Sequence, residues 1–399
     1  MEGPGEVLLM DCPADDIAFY DDDVIARPWP HYARLRDKGA VVFLSALGNY
    51  AITRHHALRA ALRDHGTFIS GEGAAADDFG CAFQRGNTVA SDPPRHTTLR
   101  RAVVEPLKID GVARLRGQIQ DKADAIVEAA LARRRVDAMT DIAQPLPLAI
   151  VRDLVGLPDF GRDNMLKWAG AAFDMQGVQN GRGRAACEAI AQMQSFVRTQ
   201  ATPDRLKPGS WTRRIVELAR TGELPEDLVP FAIRDYINPS LDTTISAIGH
   251  LVLCLARDPE SWRALRDDPS LIANAAHEAV RIGTPIRSFA RHASRDVEVD
   301  GVTIPKGARV MMLFASANRD ERVFPEPERF DVRRRNARRH LGFGAGIHMC
   351  AGMHLALLEI ECVLTALVAR VERIEAGEPT VAMNNSICAF SRLPVRLYA

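Results

Sequence analysis

Cys350 lies in a stretch whose composition suits a metal-ligating thiolate. The stretch is Leu341-Gly-Phe-Gly-Ala-Gly-Ile-His-Met-Cys-Ala-Gly352, and it leads directly into an amphipathic segment with a helical spacing of apolar residues. A cysteine at a helix N-terminus meets unpaired backbone N–H groups and the positive end of the helix dipole, and both favour the thiolate over the thiol. Glycines at positions 344, 346 and 352 permit tight turns and the close approach of a flat ligand. The alternative is a buried free cysteine that caps a helix, but the density of glycines favours a ligand.

The motif Phe-Gly-x-Gly-x-His-x-Cys-x-Gly, at residues 343–352, resembles the haem-binding loop of bacterial cytochromes P-450. The resemblance implies haem b as the cofactor, with the Cys350 thiolate as the axial ligand of the iron. It also implies that Phe343 packs beside the sulfur, that His348 binds a haem propionate, and that Gly344 and Gly352 belong to the cofactor-binding loop. The likeness extends over nearly the whole chain from Arg27 onward.

His96 and Arg100 are spaced i and i+4 in a predicted helix start, so one face of the helix can present both to a single anion. From the residues alone, an exposed basic face is equally consistent. The resemblance assigns both side chains, together with Arg291, to the haem propionates. Several cationic groups around two carboxylates would be favourable charge-assisted pairing in a buried site.

Asp242 and Thr243 occupy the middle of a predicted helix, where such residues are poor helix formers. A helix boundary with a cap would explain them. The resemblance instead implies the acid–alcohol pair that delivers protons during oxygen activation. The family's usual Ala-Gly is replaced just upstream by Pro239-Ser240, and because proline removes one N–H donor and clashes with the preceding turn, we expect a kinked helix there.

Glu278 and Arg281 stand three residues apart and so share one helical face. The pair carries no information alone, since such pairs occur often by chance. Beside the cysteine loop it resembles the Glu-x-x-Arg of the family, with Arg329 as the third member of a structural ion network. We assign these residues to folding rather than to chemistry.

Asp235 and Asn238 recur on one helical face with Asp242, so we expect both to line the substrate pocket. Asp235 would accept a hydrogen bond from a substrate hydroxyl or amine, although a surface pair with Arg234 or another cation is an equal alternative. The chain broadly resembles the bacterial P-450s that oxidise para-substituted benzoates, in which an arginine of the loop near residues 70–73 holds the carboxylate. An ungapped alignment puts Glu72 there, which disfavours a benzoate and favours a phenol or aryl ether. The expected apolar walls are Phe173, Phe289 and Phe390, with Met175.

Predicted helices and short strands must position these residues. Apolar spacing predicts helices at about 119–131, at about 229–257 and after Cys350, and short strands near 41–43, 50–52, 297–299 and 310–313. Turn residues at Gly301 and at 305–307 predict a hairpin, and residues 70–86 have the composition of a mobile loop. The fold class is therefore mainly α with a small β portion. Given the resemblance, it is the α-rich triangular prism of the cytochrome P-450 fold, as one catalytic domain over 27–399 after a loosely ordered segment at 1–26.

Composition excludes several other classes of protein. The chain has 399 residues with 51 basic and 51 acidic side chains, so no global charge points to nucleic acid or to a membrane surface. The N-terminal sequence has neither a signal peptide nor a spanning helix. Seven cysteines, an odd number without a Cys-x-x-Cys pair, disfavour a disulfide framework or zinc site. These features predict a cytoplasmic protein, which we expect to be monomeric.

The expected reaction is monooxygenation of a small, aromatic substrate by O₂, as hydroxylation or O-dealkylation. Since the chain has no flavin or nicotinamide motif, a ferredoxin and its ferredoxin reductase would supply electrons. The basic run 333–340 would form the docking face. One alternative is a P-450-like enzyme that couples or rearranges its substrate without net oxygen insertion. A more remote one is a non-catalytic haem-binding sensor, which would not need the acid–alcohol pair.

Overall fold

The computed structural model describes residues 12–399, and helices form most of its ordered structure. They begin and end as follows: α1 Asp22–Ala26, α2 Pro28–Lys38, α3 His55–Arg63, α4 Asp78–Gln84, α5 Arg95–Val104, α6 Ile109–Ala113, α7 Arg116–Arg133, α8 Pro145–Val155, α9 Asp159–Met175, α10 Gly181–Thr199, α11 Trp211–Arg220, α12 Val229–Ile237, α13 Asp242–Arg257, α14 Pro259–Asp267, α15 Ile272–Gly283, α16 Phe314–Ala317 and α17 Met353–Arg370.

The strands are short and form four small sheets. They are β1 Ala14–Asp15, β2 Val41–Leu44, β3 Asn49–Ile52, β4 Phe68–Ile69, β5 Arg135–Asp137, β6 Phe289–Ala293, β7 Val297–Val299, β8 Val302–Ile304, β9 Arg309–Met312, β10 Arg373–Ala376, β11 Thr380–Val381, β12 Phe390–Arg392 and β13 Pro394–Tyr398. The largest sheet has the order β1-β2-β3-β9-β6-β4; the others are β10-β13-β5, β11-β12 and β7-β8. The mainly α prediction is confirmed, as is the hairpin β7–β8, in which Val299 pairs with Val302 across a turn where Gly301 has φ +82°.

The main apolar core surrounds α13, α15 and α17. Ile248, Leu251 and Val252 of α13 are buried, as are Ala275 and Ala279 of α15, and α17 contributes a continuous apolar face from 357 to 367. Residues 226–257 are long and apolar enough to span a membrane, but two thirds of the most apolar window is buried inside the protein. This segment is thus the core of the fold, and it brings α13 beside the cysteine loop.

The N-terminal prediction needs correction for the part that is described. Residues 12–26 are not loosely ordered: β1 pairs with β2, and Ile17, Phe19 and Tyr20 are buried. Phe19 packs against Tyr32 of α2, with 5.8 Å between ring centroids. The burial of these aromatic side chains offsets the entropy cost of ordering the segment. Residues 1–11 lie outside the described part of the chain.

The predicted mobile loop at 70–86 is also more structured than its composition indicates. Ala74, Ala75 and Ala76 are buried, and the backbone N–H of Ala290 donates to the carbonyl of Ala74 at 2.8 Å. Asp77 then caps α4 by accepting a hydrogen bond from the Gly80 N–H at 2.8 Å. Small residues here permit close packing, which an aperiodic sequence pattern does not reveal.

Candidate active site

The cysteine loop is a tight structure that leads into α17. The Gly344 N–H donates to the Leu341 carbonyl at 2.9 Å, and the Cys350 N–H donates to the Phe343 carbonyl at 2.8 Å. Gly344 and Gly346 have φ of +69° and +71°, a region that disfavours other residues. A Cβ on Gly346 would lie 2.3 Å from the Leu62 carbonyl oxygen, so this glycine also permits contact with the end of α3. The predicted role of these two glycines in turns is confirmed.

The sulfur of Cys350 faces an internal cavity rather than bulk solvent. Its accessible surface opens into the cavity, and the surrounding protein raises the pKa of the thiol by desolvation. The backbone N–H groups of Gly352 and Met353 point at the sulfur, and these, with the charge of Arg100, act in the opposite direction. The predicted helix N-terminus effect is present, but burial outweighs it. A cation bound at the sulfur would shift the balance to the thiolate.

Four basic side chains cluster close to this loop: His96, Arg100, Arg291 and His348. The rings of His96 and His348 are 4.3 Å apart between centroids, and Nε2 of His96 is buried without a partner. Arg291 is 4% exposed, and its guanidinium donates only to the carbonyl of Ala290, at 2.8 Å. Burial lowers the pKa of Arg291 to about 10 and also lowers the pKa of each histidine. Within residues 12–399, neither Arg100 nor Arg291 forms a salt bridge.

Whether haem b fits is tested by Arg100 and Arg291, the two cations of this cluster, which form no salt bridge within the described residues. Buried cations are costly unless an anion compensates them, and the two propionates of haem b are anions at one edge of a flat molecule. Cys350, Arg100, Arg291 and His348 all line one cavity. A thiol and cations on the wall of the same cavity fit haem b.

The two residues of the predicted acid–alcohol pair point in different directions. Thr243 lines the cavity, and its hydroxyl donates to the Pro239 carbonyl at 3.1 Å. Asp242 does not line the cavity. Its buried Oδ2 has no partner and lies 3.6 Å from the place of a Cβ on Gly170, in α9. Desolvation, and then the charge of Asp174, raise the pKa of Asp242 to about 7.

The chain deviates at Pro239, as predicted, but it forms two separate helices there rather than one kinked helix. Helix α12 ends at Ile237 and α13 begins at Asp242, so residues 238–241 interrupt what the apolar spacing predicted as one helix. The Ser240 hydroxyl donates back to the Tyr236 carbonyl, which replaces part of the lost helical hydrogen bonding. The interruption places Pro239 and Ser240 on the cavity wall.

Asp235 and Asn238 both line the cavity, as the shared helical face predicts. The Thr88 hydroxyl donates to Oδ2 of Asp235, and desolvation raises the pKa of this carboxyl to about 6. Asp235 forms no salt bridge with Arg234, so the alternative of a surface pair is wrong. Of the predicted apolar walls, Phe173 and Phe289 line the cavity, and so does Met175.

Two predicted substrate residues lie elsewhere. Glu72 is exposed and does not line the cavity, and its negative charge acts to raise the pKa of His292. Since Glu72 is not on the cavity wall, the argument against benzoates loses its basis. Phe390 packs on the ring of His250, with 4.5 Å between centroids, and is also outside the cavity.

Sequence reasoning missed several polar residues on the cavity wall. Gln84, Gln176 and Glu359 each line the cavity and bury a side-chain atom without a partner, and Arg234 does so as well. Burial raises the pKa of Glu359 to about 8. The helical spacing that relates Asp235 and Asn238 to Asp242 could not have identified Glu359 or Gln84, because these two residues lie on other elements. Arg234 directly precedes Asp235 and could have been considered with it.

The structural ion network has a different third member from the one predicted. Glu278 and Arg281 form a fully buried bidentate pair, with N–O distances of 2.7 and 2.8 Å. Nε of Arg334 is the second cation on Glu278, at 2.8 Å. Arg329 contributes only its backbone carbonyl to Arg281, while its side chain is exposed and pairs with Glu326 at 3.4 Å. The assignment of Arg329 is therefore wrong, and the residue sought lies in the basic run 333–340.

Comparisons with known proteins agree with this site. The sequence model of the family Cytochrome P450 matches residues 223–396. The chain is 38% identical to cytochrome P450 CYP199A2 of Rhodopseudomonas palustris, over 94% of this chain and 92% of that protein. It is 31% identical to the cytochrome P450 monooxygenase PikC of Streptomyces venezuelae, over 96% and 94%. Among solved structures, Mycobacterium marinum cytochrome P450 CYP268A2, in complex with pseudoionone, superposes with a TM-score of 0.85 at 28% identity, covering 96% of this chain and 99% of that one.

Fold, cavity and relatives lead to one conclusion. The relative from Rhodopseudomonas palustris is matched over nearly its whole length, and the structural likeness covers the chain from end to end. The buried cations and the cavity-facing thiol are what haem b requires of a protein. The chain belongs to the cytochrome P450 family and is a haem b monooxygenase.

Proposed function

We propose that this enzyme inserts one oxygen atom from O₂ into a small, aromatic substrate, by hydroxylation or by O-dealkylation. The observation that carries the proposal is the Cys350 thiol facing the same cavity that the unpaired cations border. Haem b, when bound, supplies the iron at which O₂ is activated. In this assignment Cys350 is the axial ligand, with Phe343, Gly344 and Gly352 shaping its loop, and the propionates are held by His96, Arg100, Arg291 and His348.

Thr243 and Asp242 are assigned to proton delivery. Thr243 presents its Oγ1 to the cavity, where it can pass a proton inward. Asp242 lies directly before it in the chain, and its pKa of about 7 means that both the protonated and the ionised carboxyl are populated at neutral pH. Thr243 thus acts at the cavity, and Asp242 holds the proton behind it, against α9.

The substrate binds on the apolar walls formed by Phe173 and Phe289, in this proposal. Asp235 accepts a hydrogen bond from a substrate hydroxyl or amine, because its carboxylate lines the cavity with only the Thr88 hydroxyl as a hydrogen-bonding side-chain partner. Asn238 adds a buried carbonyl oxygen without a partner. Phenols and aryl ethers with such a donor are suitable first candidates.

A carbon monoxide difference spectrum of the reduced protein tests the central assignment. Wild type is expected to give the strongly red-shifted Soret band of thiolate-ligated haem. C350A is expected to lose it. C187A, which removes a half-buried cysteine of α10, is the matched control and is expected to keep it. A band of histidine-ligated haem in wild type, or an unchanged band in C350A, would contradict the assignment.

Labelling with ¹⁸O₂ then separates oxygen insertion from the alternative reaction. One labelled oxygen atom in the product, or in the aldehyde released by O-dealkylation, is expected. A coupled or rearranged product without label would instead support an enzyme of the P-450 type that inserts no oxygen.

Electrons are proposed to come from a ferredoxin and its ferredoxin reductase in the cytoplasm. Arg333, Arg335, Arg338 and Arg339 are exposed just before the cysteine loop, so an acidic partner would bind close to Cys350. The double variant R338E/R339E is expected to slow ferredoxin-dependent reduction and to weaken its dependence on salt. R220E, an exposed charge reversal on α11, is the control. Equal reduction rates in the double variant and the control would refute this docking face. Monomeric behaviour is expected in size-exclusion chromatography.

A further inference from the structure

Arg234 and Asp235 are neighbouring residues of α12, and both line the cavity. Adjacent residues of a helix point in different directions, so the two side chains occupy different positions on the wall. No salt bridge joins them, and Arg234 forms none with any acidic residue in the described range 12–399. Each side chain instead contacts the segment at 87–88: Arg234 donates to Oδ1 of Asn87, and Asp235 accepts from Thr88. The wall therefore has two separate polar positions of opposite charge.

Arg234 is a buried cation with unused hydrogen-bonding capacity. Arg234 is 7% exposed, and its Nε is buried without a hydrogen-bond partner. The guanidinium lies 5.0 Å from the ring centroid of Phe231, a contact that orients it but does not neutralise it. Burial lowers the pKa of Arg234, and the positive charge of Arg198 lowers it further, whereas the negative charge of Asp235 raises it. A cation in this state is stabilised by an anion that enters the cavity.

Asp235 offers the opposite position. Its carboxylate accepts a hydrogen bond from Thr88, and the positive charges of Arg234 and Arg100 act on it from a distance. Arg234 is held by Asn87 and Asp235 by Thr88, which are themselves adjacent residues, and the charge of Arg234 acts on the Asp235 carboxylate, so the groups that the two side chains recognise lie close together in one ligand. An acid and a donor on neighbouring carbon atoms satisfy this condition, whereas groups at opposite ends of a long molecule do not.

We propose that Arg234 with Asn87 binds a substrate carboxylate, while Asp235 with Thr88 binds an adjacent ammonium or hydroxyl group. The substrate class is thus an aromatic α-amino acid or α-hydroxy acid. Its ring lies against Phe173 and Phe289. This inference rests on the proposed function and narrows it, since a simple phenol or aryl ether would leave Arg234 without an anion.

Three matched ligands test the proposal: O-methyltyrosine, 3-(4-methoxyphenyl)propionic acid, which lacks the amine, and 2-(4-methoxyphenyl)ethylamine, which lacks the carboxylate. Dissociation constants are measured from the shift of the Soret band and by calorimetry. Wild type is expected to bind the amino acid at least about tenfold more tightly than either partial ligand, because one charge-assisted hydrogen bond is lost in each. Equal binding of all three would overturn the proposal.

Two variants assign the positions. R234Q is expected to weaken the binding of the amino acid and of the propionic acid by about tenfold or more and to leave the binding of the amine unchanged. D235N is expected to weaken the binding of the amino acid and of the amine but not that of the propionic acid. R234K should restore part of the preference for the carboxylate, since it keeps the charge. R220Q removes an exposed arginine of α11 that does not line the cavity, and is expected to change none of the three constants.

A purely structural role for Arg234 predicts a different pattern. If Arg234 only fixes the segment at Asn87, R234Q would weaken the binding of all three ligands equally, and that result would overturn the proposal. The carbon monoxide spectrum is recorded on the same preparations. A normal thiolate band with no preference for the amino acid refutes this inference alone, whereas the absence of that band in wild type refutes the proposed function.

Discussion

Replacing Arg334 is expected to destabilise the protein far more than replacing Arg329. Nε of Arg334 lies 2.8 Å from the Glu278 carboxylate, in a site where the arginine side chain is 6% and the glutamate 0% exposed. The same guanidinium donates to the carbonyls of Pro325 at 2.7 Å, Glu326 at 3.1 Å and Arg329 at 3.0 Å. R334A removes all four hydrogen bonds and leaves three carbonyls without this donor. Breaking a buried ion network by removal of one partner costs about 3–5 kcal/mol.

Arg329 supplies the matched comparison. Its side chain is 56% exposed, and it meets Glu326, 73% exposed, at 3.4 Å. An exposed pair of this kind contributes about 0–1 kcal/mol. Its carbonyl, which does accept from Arg281 and Arg334, is unaffected by R329A. The expected difference between the two variants is thus about 3 kcal/mol, a large part of the roughly 5–15 kcal/mol that stabilises a domain.

Urea denaturation followed by far-ultraviolet circular dichroism measures the free energy of unfolding for both variants. R334M, which retains part of the apolar volume, separates lost packing from lost hydrogen bonding and is expected to remain close to R334A. Haem content provides a second measurement, because the network lies just before the cysteine loop. Equal destabilisation by R329A and R334A would refute the assignment of Arg334 to the network.

Three further predictions concern the site. G344A and G346A both place a side chain at φ near +70°, which costs about 1 kcal/mol, but only G346A also clashes with a backbone carbonyl. Haem retention and the thermal midpoint should therefore fall clearly further in G346A than in G344A. Equal losses in the two variants would contradict the packing argument. D242N is expected to slow turnover. It should also gain stability relative to wild type as pH rises from about 4 to about 8, because the folded carboxyl, whose pKa is about 7, keeps a proton that the unfolded one releases; a urea midpoint difference that is independent of pH would contradict the burial of this group. P239A should restore helical hydrogen bonding across 238–241, and a changed ratio of product formed to reduced cofactor consumed would show that the break contributes to oxygen activation; an unchanged ratio would show that it does not.

Local sequence patterns predicted the parts of the site that are continuous in the chain. The cysteine loop, the hairpin around Gly301 and the helical pair Glu278–Arg281 each depend on residues a few positions apart, and each is present. Periodicity also placed Asp235 and Asn238 on the cavity wall, because Asn238 directly follows α12 and keeps the helical backbone conformation. Pro239 interrupts that helix where its missing N–H requires.

Contacts between distant segments were not predictable in this way. Glu72 was assigned by an ungapped alignment and Phe390 as a candidate apolar wall, but Glu72 is exposed and Phe390 stacks on His250, and both lie outside the cavity. Arg329 and Arg334 are equally plausible partners for Glu278 in the sequence. Only the path of the chain after Phe330, which returns Arg334 to α15, distinguishes them.

The polar atoms of the cavity wall offer the sharpest constraint on the substrate. An apolar substrate would leave Nε of Arg234, Oδ1 of Asn238, Nε2 of Gln84 and Oε1 of Gln176 desolvated and unpaired, and each such atom costs about 1–3 kcal/mol. The wall therefore discriminates against purely apolar ligands through its unsatisfied groups, as well as favouring polar ones. A site built to bind a hydrogen-bonding group rejects analogues that lack this group far more strongly than an apolar pocket rejects a missing methylene. Specificity in this enzyme is thus expected to depend on the polar end of the substrate, while Phe173 and Phe289 accept aromatic rings of varied substitution.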